Sequence, residues 1–551
     1  MNTIKKPMLI TFLLVLSTIS CNSEDVFIVP IEQEEVINNS EDIENEIEVF
    51  IETGTTSTVK TIIDELNGLG TITITGWLTI DSDLTIPNGI ILNITNKGGF
   101  NIKNDSTLSI HGQLSAGLHP IFDNVVDMAN SIVPEVKAEW FGQGGFGLRF
   151  ALRSADRIPV TLNTDITVTN QIFLFDNQTL HLGRSVIKVG KLPHSFDNKG
   201  IFENDGARFS TINTNITVTG GIVDGVNNTD EIYCALRFIG VNNSLVNGMK
   251  AHDITQRPWN EESGAFRFED VSYTTVQNIE ALRGYRMGVY FGGNNHHNKL
   301  LNSHFKDCRD SGFGGINPDF MEVDGNLFDN CGNFENGRGA SNATANLRNS
   351  SFTNNTSINA TGTANSNGFT LGHPTAEAGD LAAYNNLVDG NLIMNCDTKG
   401  IVIQGAGSYA NIISNNIIIN CGLLAGTNRN NAGIALLQGT IVQIENNQII
   451  GCQQGISINN GVVDTYIFEN TIKNSVDRGI RNDGINTTVQ GNNLRNLTNI
   501  FSNPNKIKDA NLIFTNNNET PPEIPVNYSL ILDLNLTVLQ KDVLKKLLNL
   551  Q

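Results

Sequence analysis

At 551 residues the chain is long enough for several domains, yet only 17% of it is charged and its formal net charge is −20. An acidic balance of that size argues against general nucleic-acid binding, which needs a basic face. Seven Cys in a chain that can bury a large core do not call for a disulfide framework.

Residues 1–20 read as a targeting segment: Lys5 and Lys6 precede the apolar run Met8 to Leu16, and small residues lead to Cys21. The run is too short to span a bilayer and fits a secretory signal. Ser20-Cys21 resembles a bacterial lipoprotein cleavage site, with Thr18 where an aliphatic residue is usual. The next residues, Asn22-Ser23-Glu24-Asp25, resemble the acidic surface-export tag of Bacteroidetes lipoproteins. This resemblance implies lipid on Cys21 and an exported protein held at the outer membrane or cell surface. Residues 21–55 are dominated by Glu32, Glu34, Glu35, Glu41, Asp42, Glu44, Glu46, Glu48 and Glu52, and read as a solvated tether.

Residues 56–135 turn to β character. Thr71-Ile-Thr-Ile-Thr75, Leu84-Thr-Ile86 and Leu108-Ser-Ile110 alternate with period two, as a cap or first turns of a larger stack. Residues 136–505 repeat one phrase with drift. One half is Asn, an apolar pair, one or two further residues and Cys, as in Gly325-Asn-Leu-Phe-Asp-Asn-Cys331 and Asn415-Asn-Ile-Ile-Ile-Asn-Cys421. The other half is Gly and alternating apolar residues, as in Gly288-Val-Tyr-Phe291 and Gly400-Ile-Val-Ile403. A period of roughly 20–30 residues built from short strands and Asn/Gly turns marks a solenoid. We therefore expect an all-β, right-handed, single-stranded parallel β-helix with N- and C-terminal caps, the latter over residues 506–551. The Cys position is expected to run through His252, Arg283, Cys308, Cys331, Asn355, Cys396, Cys421, Cys452, Ser475 and Leu497 as one buried ladder of free thiols and substitutes. The longer step before Cys396 holds a loop beginning at His373.

The Ala138-Glu-Trp-Phe-Gly142 stretch, with a short helix near Phe150 to Ala155, resembles the opening of pectate-lyase-like β-helix proteins, although the acidic residues usual after the Gly are missing. That superfamily holds polysaccharide lyases, glycoside hydrolases, epimerases, tailspikes and adhesins. The resemblance implies the fold and a polysaccharide partner, and it leaves the activity open.

In a parallel β-helix alternate residues point outward and stack. Arg237 and Arg267 then face out on adjacent coils, followed by Tyr290, Gly314, Thr370, Val402, Ala435 and Ser457; the early part of this row is polar and the late part bland. Arg283, Arg286, His296, His297, Lys299, His304, Lys306 and Arg309 suggest a cationic strip in the same region. One expectation is β-elimination on a uronate chain. Arg267, with Arg237, neutralises the carboxylate, and Tyr290 or the pair His296 and His297 moves the proton. Glu269, Arg286, Asn317, Asp319 and His373 are expected to line the substrate. A rival is a hydrolase using Glu322 and Asp324, which share a face at i and i+2. A third reading is a non-catalytic glycan-binding lipoprotein. No Cys/His spacing suggests a metal site, no cofactor is certain, and calcium is left open because no fixed calcium-loop spacing occurs.

Overall fold

Strands of three to six residues recur along the chain and end at residues in the left-handed region, most of them Asn. Asn tolerates that conformation because its short amide can bond locally. Each such residue turns the chain by one corner, and the next strand lies on a new face. The computed structural model describes residues 47–192, 200–208, 211–226, 234–254, 264–284, 286–332, 340–362, 366–372, 382–424, 430–497, 499–502, 507–514 and 537–547. The signal segment, Cys21, most of the acidic tether and His373 lie outside the described residues.

All strand pairings among the described residues are parallel, and in the middle of the stack a coil contributes one short strand to each of three faces. Sheet A has thirteen strands among the described residues, from Ile172–Leu174 to Asn499–Ser502. Sheet B stacks Thr275–Gln277, Lys299–Leu301, Glu322–Asp324 and Ser351–Thr353. Sheet C stacks Glu280–Leu282, His304–Lys306, Leu327–Asp329 and Thr356–Ile358. This is the right-handed parallel β-helix expected from the period. A smaller parallel stack precedes it. Glu48–Ile51, Gly70–Ile74, Ile90–Ile94 and Gln113–Ala116 pair in order, beside the helix Thr56–Glu65. The Ala138–Phe141 turn buries Trp140 and Phe141, and the helix Gly144–Ser154 follows it.

Two buried ladders hold the coils in register. Asn326, Asn355, Asn391, Asn416, Asn447, Asn470 and Asn492 pass one hydrogen bond from each Nδ2 to the next Oδ1, at 2.9–3.1 Å. Each Oδ1 after that of Asn326 also accepts the backbone N–H of the preceding Asn, for example Asn416 N–H to Asn447 at 3.0 Å. Buried amides left without partners cost about 1–3 kcal/mol each, so a complete ladder fixes the stacking strongly. The second ladder is the thiol row. Cys308, Cys331, Cys396, Cys421 and Cys452 are buried and free, as is Cys234. Burial pushes the thiols of Cys331, Cys421 and Cys452 well up. Cys308, Cys331, Cys396, Cys421 and Cys452 lean their Sγ on carbonyl oxygens two residues back.

Three members of the expected thiol row are corrected. The left-handed residues Asp253, Arg283 and Asn359 set the corner, and the residue after each takes the Cys position. The row therefore runs through Ile254, Gly284 and Ala360 in place of His252, Arg283 and Asn355. A Cβ on Gly284 would lie 3.5 Å from Cys308 Sγ, which confirms the stacking. The C-terminal helix Val538–Leu547 returns to the stack. Gln540 donates to the carbonyls of Asn355 and Gly390, and Val543 packs with Ile358, Leu392, Met394, Ile417 and Ile419. The helix thus covers the outer apolar side of sheet C, along the stack.

Candidate functional site

Sheet A carries the outward row that the sequence suggested. The register runs Glu203, Arg237, Arg267, Tyr290, Gly314, Ala343, Thr370, Val402, Ala435, Ser457, Arg481. Phe266 and Phe268 flank Arg267 on its strand and are fully buried, so inward packing forces the guanidinium out. The neighbouring outward column begins with Ile239, Glu269 and Gly292.

These residues form one charge network. Arg237 Nη1 lies 3.2 Å from Glu203 Oε1, and its Nε lies 3.4 Å from Glu269 Oε1. Arg267 Nε pairs with the same Glu269 oxygen. The Arg267 guanidinium also stands 5.7 Å from the centroid of the Tyr290 ring, a cation–π contact. Gln171 donates its amide to the other Glu203 oxygen. The network is deep for a surface: Tyr290 is 4% exposed, and the side chains of Glu203 and Arg267 are 5% and 12% exposed. The Tyr290 ring folds over Gly292, where any Cβ would collide with the phenol oxygen. Gly292 is thus required by the close approach of that ring. Two arginines and two carboxylates held this way present fixed donors and acceptors to a ligand lying along the sheet.

The other predicted residues lie elsewhere. His296 and His297 sit at the ridge between sheets A and B, with His296 Nδ1 and His297 Nδ1 3.2 Å apart. The His297 ring is stacked between Tyr273 and Phe320, at 5.1 and 4.7 Å. The ridge also holds Asn317, whose Oδ1 accepts from Asn346, and Asp319, which pairs with Arg348. Arg286 lies at the entry edge of sheet A and pairs with Asp310 at 3.2 Å. Glu322 and Asp324 do share an outward face, but it belongs to sheet B. There Glu322 pairs with Lys299 at 2.7 Å, and Asp324 accepts from Thr353 and Asn354.

The expected cationic strip dissolves for the same reason. Roughly one coil of sequence passes over three faces, so neighbours in sequence are separated in space. Arg283 pairs with Asp253, Lys299 with Glu322, and Lys306 with Asp329. The Arg283 bond holds the Asp253 carboxyl below its ordinary range. At Glu280 burial works upward, yet hydrogen bonds from His252 and Lys250 win and hold it below. Burial pushes the His304 imidazole down despite Glu280 and Asp329 nearby. Two functional candidates were missed. Glu203 is separated from Arg237 by a connection of irregular length, and Arg481 lies at the end of the row taken as bland. Among the described residues, no group of three or more His, Cys, Asp or Glu is arranged to hold a metal ion.

No family model and no curated protein matches this chain. Several solved structures are similar in fold. Tailspike protein 3 of bacteriophage CBA120 aligns with a TM-score of 0.50 and 12% identity over 71% of this chain. The alignment spans 64% of the tailspike's length. The A-module of the Azotobacter vinelandii mannuronan C-5 epimerase AlgE4 aligns at 0.42 and 15%, covering 69% of this chain and all of that one. The catalytic domain of a GH87 α-1,3-glucanase gives 0.42 and 14%, over 73% and 70%. Identities this low speak for architecture, and the architecture is the parallel β-helix.

Proposed function

We propose that this protein processes a polysaccharide along sheet A, and that the reaction is β-elimination on a uronate-containing chain. The observation that carries this reading is the outward sequence Arg237, Arg267, Tyr290 on three successive coils. A polymer can lie along such a row because the groove is as long as the stack. The uronate carboxylate would bind at Arg267, where positive charge stabilises the enolate that develops when the C5 proton leaves. The Tyr290 oxygen, acting as phenolate with its own proton already lost to solvent, takes the C5 proton. The C4–O4 bond then breaks, its electron pair leaves with O4, and the Tyr290 phenol passes the proton to O4, which restores the phenolate. His296 and His297 are not needed in this scheme, since they lie exposed on the ridge, off the row of Arg237, Arg267 and Tyr290.

A second reading has its own observation: Glu203 and Glu269 are two carboxylates on the same face, bridged by Arg237. A hydrolase would use that pair rather than Glu322 and Asp324. We further propose that lipid on Cys21 anchors the chain at the outer membrane or cell surface, which mass spectrometry of the membrane fraction from wild type and Cys21→Ser would test.

The deciding experiment incubates the protein with a panel of acidic and neutral polysaccharides. Ultraviolet absorbance of an unsaturated uronyl product is followed beside new reducing ends. Both rising together supports elimination. Reducing ends without absorbance transfers the reading to Glu203 and Glu269. Retention on a glycan column with neither signal leaves sheet A a binding face only.

A further inference from the structure

Lower on sheet A, Lys399 opens the strand Lys399–Ile403, in register with Asn367 on one side and Ala432 on the other. Gly400 next to it faces the core, because a Cβ there would strike Ile418. Lys399 therefore faces out, beside an outward apolar patch of Val402, Ala432 and Ala435 that is separate from the solenoid core. Although it faces out, the residue is 3% exposed. Burial pushes its amine down to about 8, so most of it still carries a proton at neutral pH. Among the described residues no carboxylate pairs with it. A buried cation without a counter-charge is costly, and such groups are normally paired.

Two more polar atoms on these coils are open. Asn431 Oδ1 and Ser457 Oγ are buried and make no hydrogen bond among the described residues. Asn431 occupies the position that Thr398 occupies one coil earlier, and Thr398 reaches back to Asn367 at 2.6 Å. Asn431 is thus placed to serve the coil of Lys399. Ser457 continues the outward row through Val402 and Ala435. Buried polar groups are satisfied in nearly all native proteins, so a cation and two neutral groups left open on three successive coils of one sheet point to a ligand.

We propose that Lys399, Asn431 and Ser457 form a second binding subsite on sheet A, for an oxyanion carried by a sugar, either a carboxylate or a sulfate ester. It lies five coils from Arg267, about 24 Å at the usual spacing between strands. This rests on sheet A being the glycan face, and it implies a polyanionic substrate long enough to reach both positions.

The test uses the full chain with three probes in short and long forms: oligogalacturonate, sulfated dextran and neutral dextran. Lys399→Met should weaken binding of one long anionic probe about tenfold, and Lys399→Arg should restore part of it. Short probes and neutral dextran should bind both proteins alike. Galacturonate dependence identifies a carboxylate, and sulfated-dextran dependence a sulfate ester. As a check that needs no variant, Lys399 in the wild type is labelled with acetic anhydride at pH 8 and located by peptide mapping. Protection by the long anionic probe is expected. Unchanged labelling under saturating probe, or equal binding by Lys399→Met, overturns the subsite and leaves only water in contact with the amine. The two readings fail separately. Product formation with no Lys399 effect removes the subsite and keeps the enzyme. A Lys399 effect with no product from any polysaccharide keeps the subsite and removes the lyase.

Discussion

Charges on sheets B and C are arranged differently from those on sheet A. On the outer sides of B and C, a cation on one coil faces a carboxylate on the next, as in Lys299 with Glu322 and Lys306 with Asp329. Those cations are about half exposed, at 50% and 45%. Exposed pairs of this kind are worth little, and they serve mainly to keep neighbouring coils from repelling one another. On sheet A the arginines are nearly covered, share carboxylates, and stand against a buried tyrosine, while Lys399 is covered and pairs with no carboxylate among the described residues. Burying charge is unfavourable unless something compensates it. Under the proposed function, charge that decorates the stack is told apart from charge on the glycan face by how far it has been taken out of water.

The largest test of that contrast is Tyr290→Phe. Turnover should fall about 100- to 10,000-fold, the range for losing a positioned acid or base, while glycan retention persists. Lys299→Ala on sheet B should leave turnover unchanged, and equal losses in both would abolish the distinction. Next comes Lys399→Met without ligand. Its amine is lowered from 10.5 to about 8, and two and a half units correspond to roughly 3 kcal/mol at 1.36 kcal/mol each. The variant should be more stable by up to that amount at neutral pH, read from denaturant midpoints. The sign follows from proton uptake. Between about 8 and 10.5 the unfolded chain holds the proton more firmly than the folded one. The destabilisation is therefore complete below pH 8 and fades as pH rises toward 10.5, and the advantage of the variant fades with it. Arg267→Met, which leaves Glu269 with Arg237 alone, should cost about 1.5–3 kcal/mol by the same measurement. Glu322→Gln, at an exposed pair, should move the midpoint by less than about 1 kcal/mol.

Much of the scaffold could be read in advance because it is local and repeated. An Asn that turns left-handed, an Asn that bonds inward and a Cys two residues past a strand recur at nearly fixed intervals, so the period survives drift. The outward row from Arg237 to Tyr290 was legible because alternate residues on a strand have only two directions. Placement across coils was harder. The basic residues from Arg283 to Arg309 look contiguous, yet they span all three faces. The thiol row slipped at Ile254, Gly284 and Ala360 because no Cys marks those coils. Glu203 was missed because the connection before Cys234 differs in length from its neighbours. Lys399 was missed because a lysine at the head of an apolar strand reads as a solvated edge, and only the folded chain shows it covered. Nor could sequence say that the helix Val538–Leu547 returns to the flank of sheet C, since that choice depends on the outward Ile358, Leu392 and Met394.

The asparagine ladder has a consequence for length. Every rung meets its neighbours through the same bonds, so Asn326 would find in Asn391 what it now finds in Asn355. A whole coil excised or duplicated should therefore leave the ladder continuous across the cut. The molecule would then serve as a ruler with interchangeable graduations. Taking out one coil between Arg267 and Lys399 would shorten the interval between them by a single strand spacing, about 4.8 Å, and retune which oligomer fits without altering a residue in either position.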